Sequence, residues 1–512
     1  MPSKAITARR RDLAHAVNYE TWKDIALELD ALEGGAAWCE DDTSSDYDFL
    51  LIRERLEQLR ELRTAGAVRP LVFELVAGLH GNLGNMANPA LYQHCRFGTK
   101  QLITDYTEEV ARCLDYVCLG EFPDFTDADK VVFFKRAGHS FGRSALLLSG
   151  GATLGMFHIG VVKALWEHDL LPRVLTGSSA GSIISAMAAT RNDAEMPALF
   201  DADTVSLEAF RRVSLREAMS SGSLLDPVQL EQCIASNVPD VTFLDAFEHT
   251  RRIFGITVSP AEPNQHMRLL NYLTAPHVLI HTAVLASCAV PGIFPPVALR
   301  ALDFSGQNMA YANSRKWVDG SVSNDLPLHR LARMHNINHY IVSQTNPHVV
   351  PFIHGQRTRT RRGLLPYARE LAVTLGRDTL DVTRQHLGPT GIFGAAHLLD
   401  RANQIMQQQY FGDVTIYPHQ TSRQLLHLFS NLTPFELRRF IRDGERATWP
   451  QMERIRLQTR ISRAFENALV WLKQRGAFDA AGLGRTPSGR TADSDKALGS
   501  DPAARTSRGN TG

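Results

Sequence analysis

Two serines in this chain sit inside a G-x-S-x-G pentapeptide, a pattern that can turn a weak alcohol into a nucleophile. A serine held at a sharp strand-to-helix step projects its hydroxyl over the sheet edge, where a base can take its proton. In Gly177-Ser178-Ser179-Ala180-Gly181 the serine follows a short apolar run, Val174-Leu175, and precedes Ile183-Ile184-Ser185-Ala186-Met187-Ala188-Ala189, a good helix start. In Gly138-His139-Ser140-Phe141-Gly142 the serine is followed by Gly142-Arg143 and then by another expected strand, so no elbow forms there. Ser179 is the candidate nucleophile, with Gly177 and Gly181 as the elbow glycines.

A second glycine turn, Gly150-Gly151-Ala152, follows the apolar run Ala145 to Leu148. Its backbone N–H groups can point at a developing oxyanion, and Ala180 at the elbow offers another. A rival reading is the dinucleotide fingerprint G-x-G-x-x-G, but Ala152 replaces the glycine that lets backbone approach a pyrophosphate. The ribose-binding acid is also misplaced, because Glu167 and Asp169 end a helix rather than a strand. For the base, Asp319 closes Lys316-Trp317-Val318-Asp319-Gly320, a strand end running into a glycine turn. On the dipeptide alone this also reads as an ordinary Asp-Gly turn. Asp325 is the competing carboxylate and reads as a cap for a helix starting near Leu326. None of the 19 histidines lies in a comparable turn, so a Ser-His-Asp triad has no obvious imidazole.

The elements that must position these groups follow from periodicity. Helical spacing recurs at 13–35 (Trp22, Ile25, Ala26, Leu29, Leu32) and 48–64, and three more helices are expected over 70–120. The acids Asp41, Asp42, Asp46 and Asp48 between the first two lack the mid-loop glycine of a calcium site and read as a helix-capping linker. Strands are expected at 131–134, 145–149, 174–176, 252–258, 268–273, 316–318 and 338–343, mostly with helices between them. That alternation implies a largely parallel sheet covered on both faces. The stretch 193–250 reads as a mostly helical insertion over the site, with a loop at Ser220 to Ser223. Helices are expected again at 395–411, 434–443 and 449–475, and the polar tail as disordered.

At 512 residues, with net charge +1, the chain has room for two or three structural units and no global field for nucleic acid. Six cysteines without C-x-x-C spacing read as free thiols of a reducing compartment. The N-terminus lacks the apolar core of a signal peptide, and no apolar run makes a clean bilayer span. The expected location is cytoplasmic, with peripheral contact to a membrane or lipid body.

Together the motifs resemble the patatin-like phospholipase family. The match covers roughly residues 140–345 and rests, in order, on the glycine turn (Gly150, Gly151), the elbow serine (Ser179) and the D-G dipeptide (Asp319, Gly320). The resemblance implies a three-layer α/β/α sandwich with a mostly parallel central sheet, flanked by helical N- and C-terminal regions. It also implies a Ser179–Asp319 dyad. Tyr19, Trp22, the segment Asn88 to Phe97, Phe141 to Leu146 and Pro291 to Pro296 are similar to the triacylglycerol-lipase subgroup. The implied organisation is a helical extension at 10–125, a catalytic domain at 140–345, a helical region at 346–478 and a disordered tail at 479–512.

On this reading Asp319 takes the Ser179 proton, an acyl-enzyme forms, and no metal or cofactor is needed. A free carboxylate near pKa 3.9 is a poor base, so the site is expected to be partly desolvated. Ala152 stands where the family usually has Gly, and Ser321 follows the D-G pair where Ala or Gly is usual. Alanine keeps its N–H, so that donor survives. No histidine has an aspartate five positions on, so an H-x-x-x-x-D acyltransferase motif is absent. The expected substrate is a long-chain lipid ester at a membrane or lipid-droplet-like surface. The run Arg357 to Arg362, beside the amphipathic stretch Leu364 to Leu375, reads equally as an anionic-surface contact or a solvated loop. The alternative to an enzyme is a non-catalytic lipid-binding scaffold that keeps the fold.

Overall fold

The computed structural model describes residues 4–214, 223–262, 265–312, 315–320, 326–346, 411–418 and 428–480. Ser321, Asp325, the arginine run at 357–362, the stretch 364–375, the helix expected at 395–410 and the expected tail beyond 480 lie outside them.

The chain opens with α1 (Lys4–His15), α2 (Tyr19–Leu32), α3 (Gly35–Glu40), α4 (Phe49–Thr64), α5 (Val68–Gly78), α6 (Gln101–Leu119) and α7 (Asp127–Phe141). Trp22, Ile25, Ala26 and Leu29 form the buried stripe of α2, as their spacing predicts. Asp48 in the acidic linker caps α4 by accepting the Leu51 N–H at 3.1 Å.

One expected strand is wrong. Val131-Val132-Phe133-Phe134 lies inside α7, because Thr126 and Asp129 form a capping box upstream. Val131, Phe134, Ala137 and Phe141 then fall on one buried helical face. The β-branched and aromatic run mimics a strand, and the cap five residues earlier decides the matter. Ser140 therefore sits exposed near the end of a helix. The flanking Gly138 accommodates the Phe465 ring, and Gly142 ends the helix at φ 86°.

The remaining elements are β1 (Arg143–Leu148), α8 (Phe157–Glu167), β2 (Val174–Gly177), α9 (Ala180–Ala189), α10 (Pro227–Asn237), α11 (Phe243–Thr250), β3 (Ile253–Pro260) and β4 (Arg268–Asn271). They continue with α12 (Ile280–Cys288), β5 (Arg300–Leu302), β6 (Asn308–Ala310), β7 (Trp317–Asp319), α13 (Leu328–His335) and β8 (Ile337–Ser343). Last come β9 (Val414–Ile416), α14 (Pro434–Thr448), α15 (Met452–Gln474) and the short α16 (Ala477–Ala480).

The main sheet runs β4-β3-β2-β1-β8-β9, with β7 pairing the end of β3. Pairs β1–β2, β2–β3, β1–β8 and β8–β9 are parallel, whereas β4 and β7 run antiparallel to β3. Along β1, Leu146 and Leu148 join one core while Ala145 and Leu147 join another on the opposite face, which is the alternation a doubly covered strand needs. β9 joins the sheet from beyond residue 346, a region expected to be helical. The helix α14 crosses α8 so closely that a side chain on Gly160 would overlap the Ile441 carbonyl, and one on Gly444 the Phe157 carbonyl.

Candidate active site

The β2-to-α9 step holds Ser179 at φ 51°, ψ −125°, a conformation disfavoured for any residue with a Cβ. Tight packing enforces it. A side chain on Gly177 would collide with the Gly181 carbonyl and Ser185, and one on Gly181 with the Leu148 carbonyl. The Ser178 N–H donates to the Leu148 carbonyl at 3.1 Å, fixing the turn to the end of β1. From the other side Ser287 on α12 accepts the Ser179 N–H at 2.9 Å and donates to the Thr257 carbonyl at 2.9 Å. The Thr257 hydroxyl also pairs with that of Ser178.

Asp319 ends β7 in register with Val258, and its N–H donates to the Ala289 carbonyl at 3.0 Å. It is 1% exposed. Gly320 lies against Thr257 where a Cβ would not fit, so one threonine borders both the elbow and the acid turn. The neighbouring Cys288 thiol is held well above its usual range, by burial first and by the Asp319 charge second. It is a packing thiol with little nucleophilic character.

The glycine turn hangs from β1 and β8. The Thr345 N–H donates to Ser149 Oγ at 2.8 Å, and Ser149 Oγ and Thr345 Oγ1 both donate to the Gly150 carbonyl, at 3.0 and 3.1 Å. Ala152 adopts φ 48°, the left-handed region, which explains why glycine suits this position. Behind the turn His158, fully buried on α8, contacts the Ser149 carbonyl through Nε2 at 3.0 Å and the Ser343 hydroxyl through Nδ1 at 2.7 Å. A carbonyl only accepts, so Nε2 carries the proton and Nδ1 accepts from Ser343. Burial lowers the His158 pKa to about 4 and keeps the ring neutral.

Ser179, Asp319, Gly150, Gly151, Ala152 and Ala180 border one cavity of about 240 Å³. Gly177, Gly181 and Gly320 sit behind it as backbone contacts. The cavity continues between apolar side chains that include Ile184 and Met187 of α9, Leu230 and Ile234 of α10, and Phe210 and Phe294. Part of the 193–250 stretch thus lies over the site, as its position between strands suggested. A wall comes from Leu428, Phe429, Ser430 and Leu432. Thr153, next to Ala152, donates its N–H to the Leu428 carbonyl at 3.1 Å, and its hydroxyl lies 2.7 Å from that same oxygen. Asn431 exchanges hydrogen bonds of 2.8 and 3.0 Å with the Phe210 backbone, closing the two covering segments on each other.

Residues 146–332 match the family described as patatin-like phospholipase, and residues 3–139 match DUF3336, a domain of unknown function. Triacylglycerol lipase ptl3 of Schizosaccharomyces pombe is 34% identical over 453 residues, 86% of this chain and 92% of that protein. The chain belongs to the patatin-like phospholipase family. Triacylglycerol lipase SDP1L of Arabidopsis thaliana is 33% identical, covering 92% of this chain but 60% of its own length. Triacylglycerol lipase 4 of Saccharomyces cerevisiae is 34% identical, with 90% and 53% covered. Among solved structures, VipD from Legionella pneumophila overlaps 66% of this chain at TM-score 0.29 and 13% identity, too distant to carry any argument.

Several site-forming residues escaped the sequence reading of this family member. Ser287 is one small polar residue in the apolar run Ile280 to Cys288, and His158 follows Phe157 in a helix that reads as plain core. The wall at 428–432 lies outside the family match and carries no motif. Only the Thr433-Pro434-Phe435-Glu436 capping box just after it marks the place.

Proposed function

We propose that this chain is a serine lipid acyl hydrolase that cleaves long-chain acyl esters, of triacylglycerol or phospholipid type, through a Ser179–Asp319 dyad. The observation that carries the reading is the strained Ser179 elbow on the same cavity as buried Asp319, with an apolar channel beyond them. Names of relatives that include triacylglycerol lipases support the ester class.

In this mechanism Asp319 accepts the Ser179 hydroxyl proton as the oxygen attacks the ester carbonyl. The tetrahedral intermediate collapses to an acyl-enzyme as the alcohol leaves with a proton, and water then repeats the sequence to free the fatty acid. The Ser179 N–H is engaged by Ser287, so the elbow's contribution to the oxyanion falls to the Ala180 N–H at the start of α9. The Gly150-Gly151-Ala152 turn supplies the other donors through Gly151 and Ala152. Each such donor is worth about 2.7–4 kcal/mol in the transition state. The acyl chain lies among the apolar side chains of α9 and α10. The substrate arrives from a membrane or lipid-droplet-like surface, and the Leu428–Leu432 wall stands at the entrance.

A fluorophosphonate probe followed by peptide mapping tests the assignment, together with fatty-acid release from a long-chain ester by wild type, Ser179→Ala, Asp319→Asn and Ser140→Ala. Labelling is expected on Ser179, with Ser179→Ala and Asp319→Asn inactive and Ser140→Ala unaffected. Equal release by wild type and Ser179→Ala would sink the dyad. A wild-type protein that takes no label and releases no fatty acid would favour the scaffold reading.

A further inference from the structure

The wall of the cavity leads directly into α14, and that helix has two faces of opposite character. Leu437, Ile441, Gly444 and Thr448 are buried, on the side where the helix crosses α8. On the other side Phe435, Arg438, Arg439 and Arg442 fall at i, i+3, i+4 and i+7 and share one exposed stripe. Phe435 is 75% exposed, and Phe429, which lines the cavity, is 42% exposed. A large aromatic held in the first turn of a helix, by a capping box at Thr433 and Glu436 and by Pro434, cannot fold away into the core.

Charge sharpens the picture. Arg438 shares an exposed 3.0 Å ion pair with Asp203, while among the described residues no ion pair holds Arg439 or Arg442. Glu436 is spent on the cap and Glu445 on Lys163 at 2.6 Å. The stripe therefore presents an aromatic tip followed by a net positive face, three residues beyond Leu432 at the cavity wall. An aromatic that enters the boundary between headgroup and acyl chain, with arginines behind it to meet phosphate, is the pattern of an interfacial anchor.

We infer that the exposed stripe of α14, from Phe435 to Arg442, is the surface by which this protein docks on a lipid surface bearing anionic headgroups. The inference rests on the proposed hydrolase reading and adds to it which face meets the lipid. Docked there, the protein brings the Leu428–Leu432 wall onto the lipid surface, so an ester can pass into the cavity without crossing water. The strap between Thr153 and Phe210 keeps that wall in register with the glycine turn.

The test uses the full chain, with Phe435→Ser and the double variant Arg439→Gln/Arg442→Gln. Binding is read by co-sedimentation with phosphatidylcholine vesicles, with and without phosphatidylserine. Activity is read on a long-chain ester emulsion and on a water-soluble short-chain ester. Each arginine near an anionic surface is worth about five-fold in binding, so the double variant should bind the phosphatidylserine vesicles about 25-fold more weakly. Phe435→Ser should bind both vesicle types more weakly. All variants should turn over the soluble ester at the wild-type rate, which also reports that they are folded, and lose activity on the emulsion. Variants that sediment as wild type does, or a wild type indifferent to phosphatidylserine, would overturn the docking face. A wild type that binds vesicles through this stripe but cleaves neither ester would uphold the surface and overturn the hydrolase reading instead.

Discussion

His158 gives the most quantitative handle on the glycine turn. Its ring joins the end of β1 to the end of β8 and holds the Ser149 carbonyl one residue before Gly150. Burial depresses its pKa from 6.5 to about 4. The folded state therefore keeps the ring neutral at pH values where the unfolded chain already binds a proton. The sign follows: this contribution to stability is fully present above pH 6.5 and is lost as pH falls toward 4. At most the shift of about 2.5 units corresponds to ~3.4 kcal/mol. Between pH 7.5 and pH 5 the loss is about 2 kcal/mol. A His158→Gln variant can still donate to the Ser149 carbonyl but does not titrate. Its stability gap to wild type, measured from urea unfolding midpoints, should therefore move by about 2 kcal/mol in the variant's favour across that range. In an NMR titration the His158 ring signal should stay in its neutral position until pH approaches 4. A gap that does not change with pH, or a His158 signal that titrates near 6.5, would refute the argument.

Three further perturbations probe the elbow and the turn. Ser287→Ala removes the acceptor of the Ser179 N–H and the donor to the Thr257 carbonyl; leaving these buried groups unpaired should cost about 1–3 kcal/mol in chemical denaturation and slow fluorophosphonate labelling of Ser179. Ala152→Gly relieves a left-handed alanine at φ 48° and should raise the unfolding free energy by roughly 1 kcal/mol, with esterase turnover retained. Gly177→Ala forces a methyl into the Gly181 carbonyl and should cost about 1–3 kcal/mol, lowering the melting midpoint and abolishing labelling even in the soluble fraction.

Much of this architecture was legible because local pattern and tertiary role coincide. Ser179 stood out since a G-x-S-x-G motif is meaningful only between a strand and a helix, and β2 and α9 are both readable by eye. The parallel sheet followed from the alternation of apolar runs with amphipathic ones. The reading failed at Val131 to Phe134, where four apolar residues satisfy either period and the capping box at Thr126 was not given weight. Ser140 was set aside on context, but the strand reading behind that context was partly mistaken: the chain before it is helix α7, and β1 does follow. Ser287, Thr257 and His158 could not be found, because their roles depend on which backbone groups need partners after the sheet has closed.

Ala152 and the 428–432 wall show why a motif alone describes such a site incompletely. In the sequence, Ala152 departs from the family's usual glycine at a position whose positive φ makes glycine the easy choice. The structure keeps alanine there with the same backbone sign, so the turn retains its N–H at a conformational cost of roughly 1–2 kcal/mol. That cost needs an opposing constraint on both sides of the residue. On one side Ser149 and Thr345 hold the Gly150 carbonyl. On the other, Thr153 is tied to Leu428 and Ser430, which arrive from nearly 280 residues downstream. The segment that fixes the turn also forms the cavity wall and continues into α14. Turn geometry, access to the cavity and the exposed basic stripe are thus mechanically linked through one stretch of chain that carries no catalytic motif of its own.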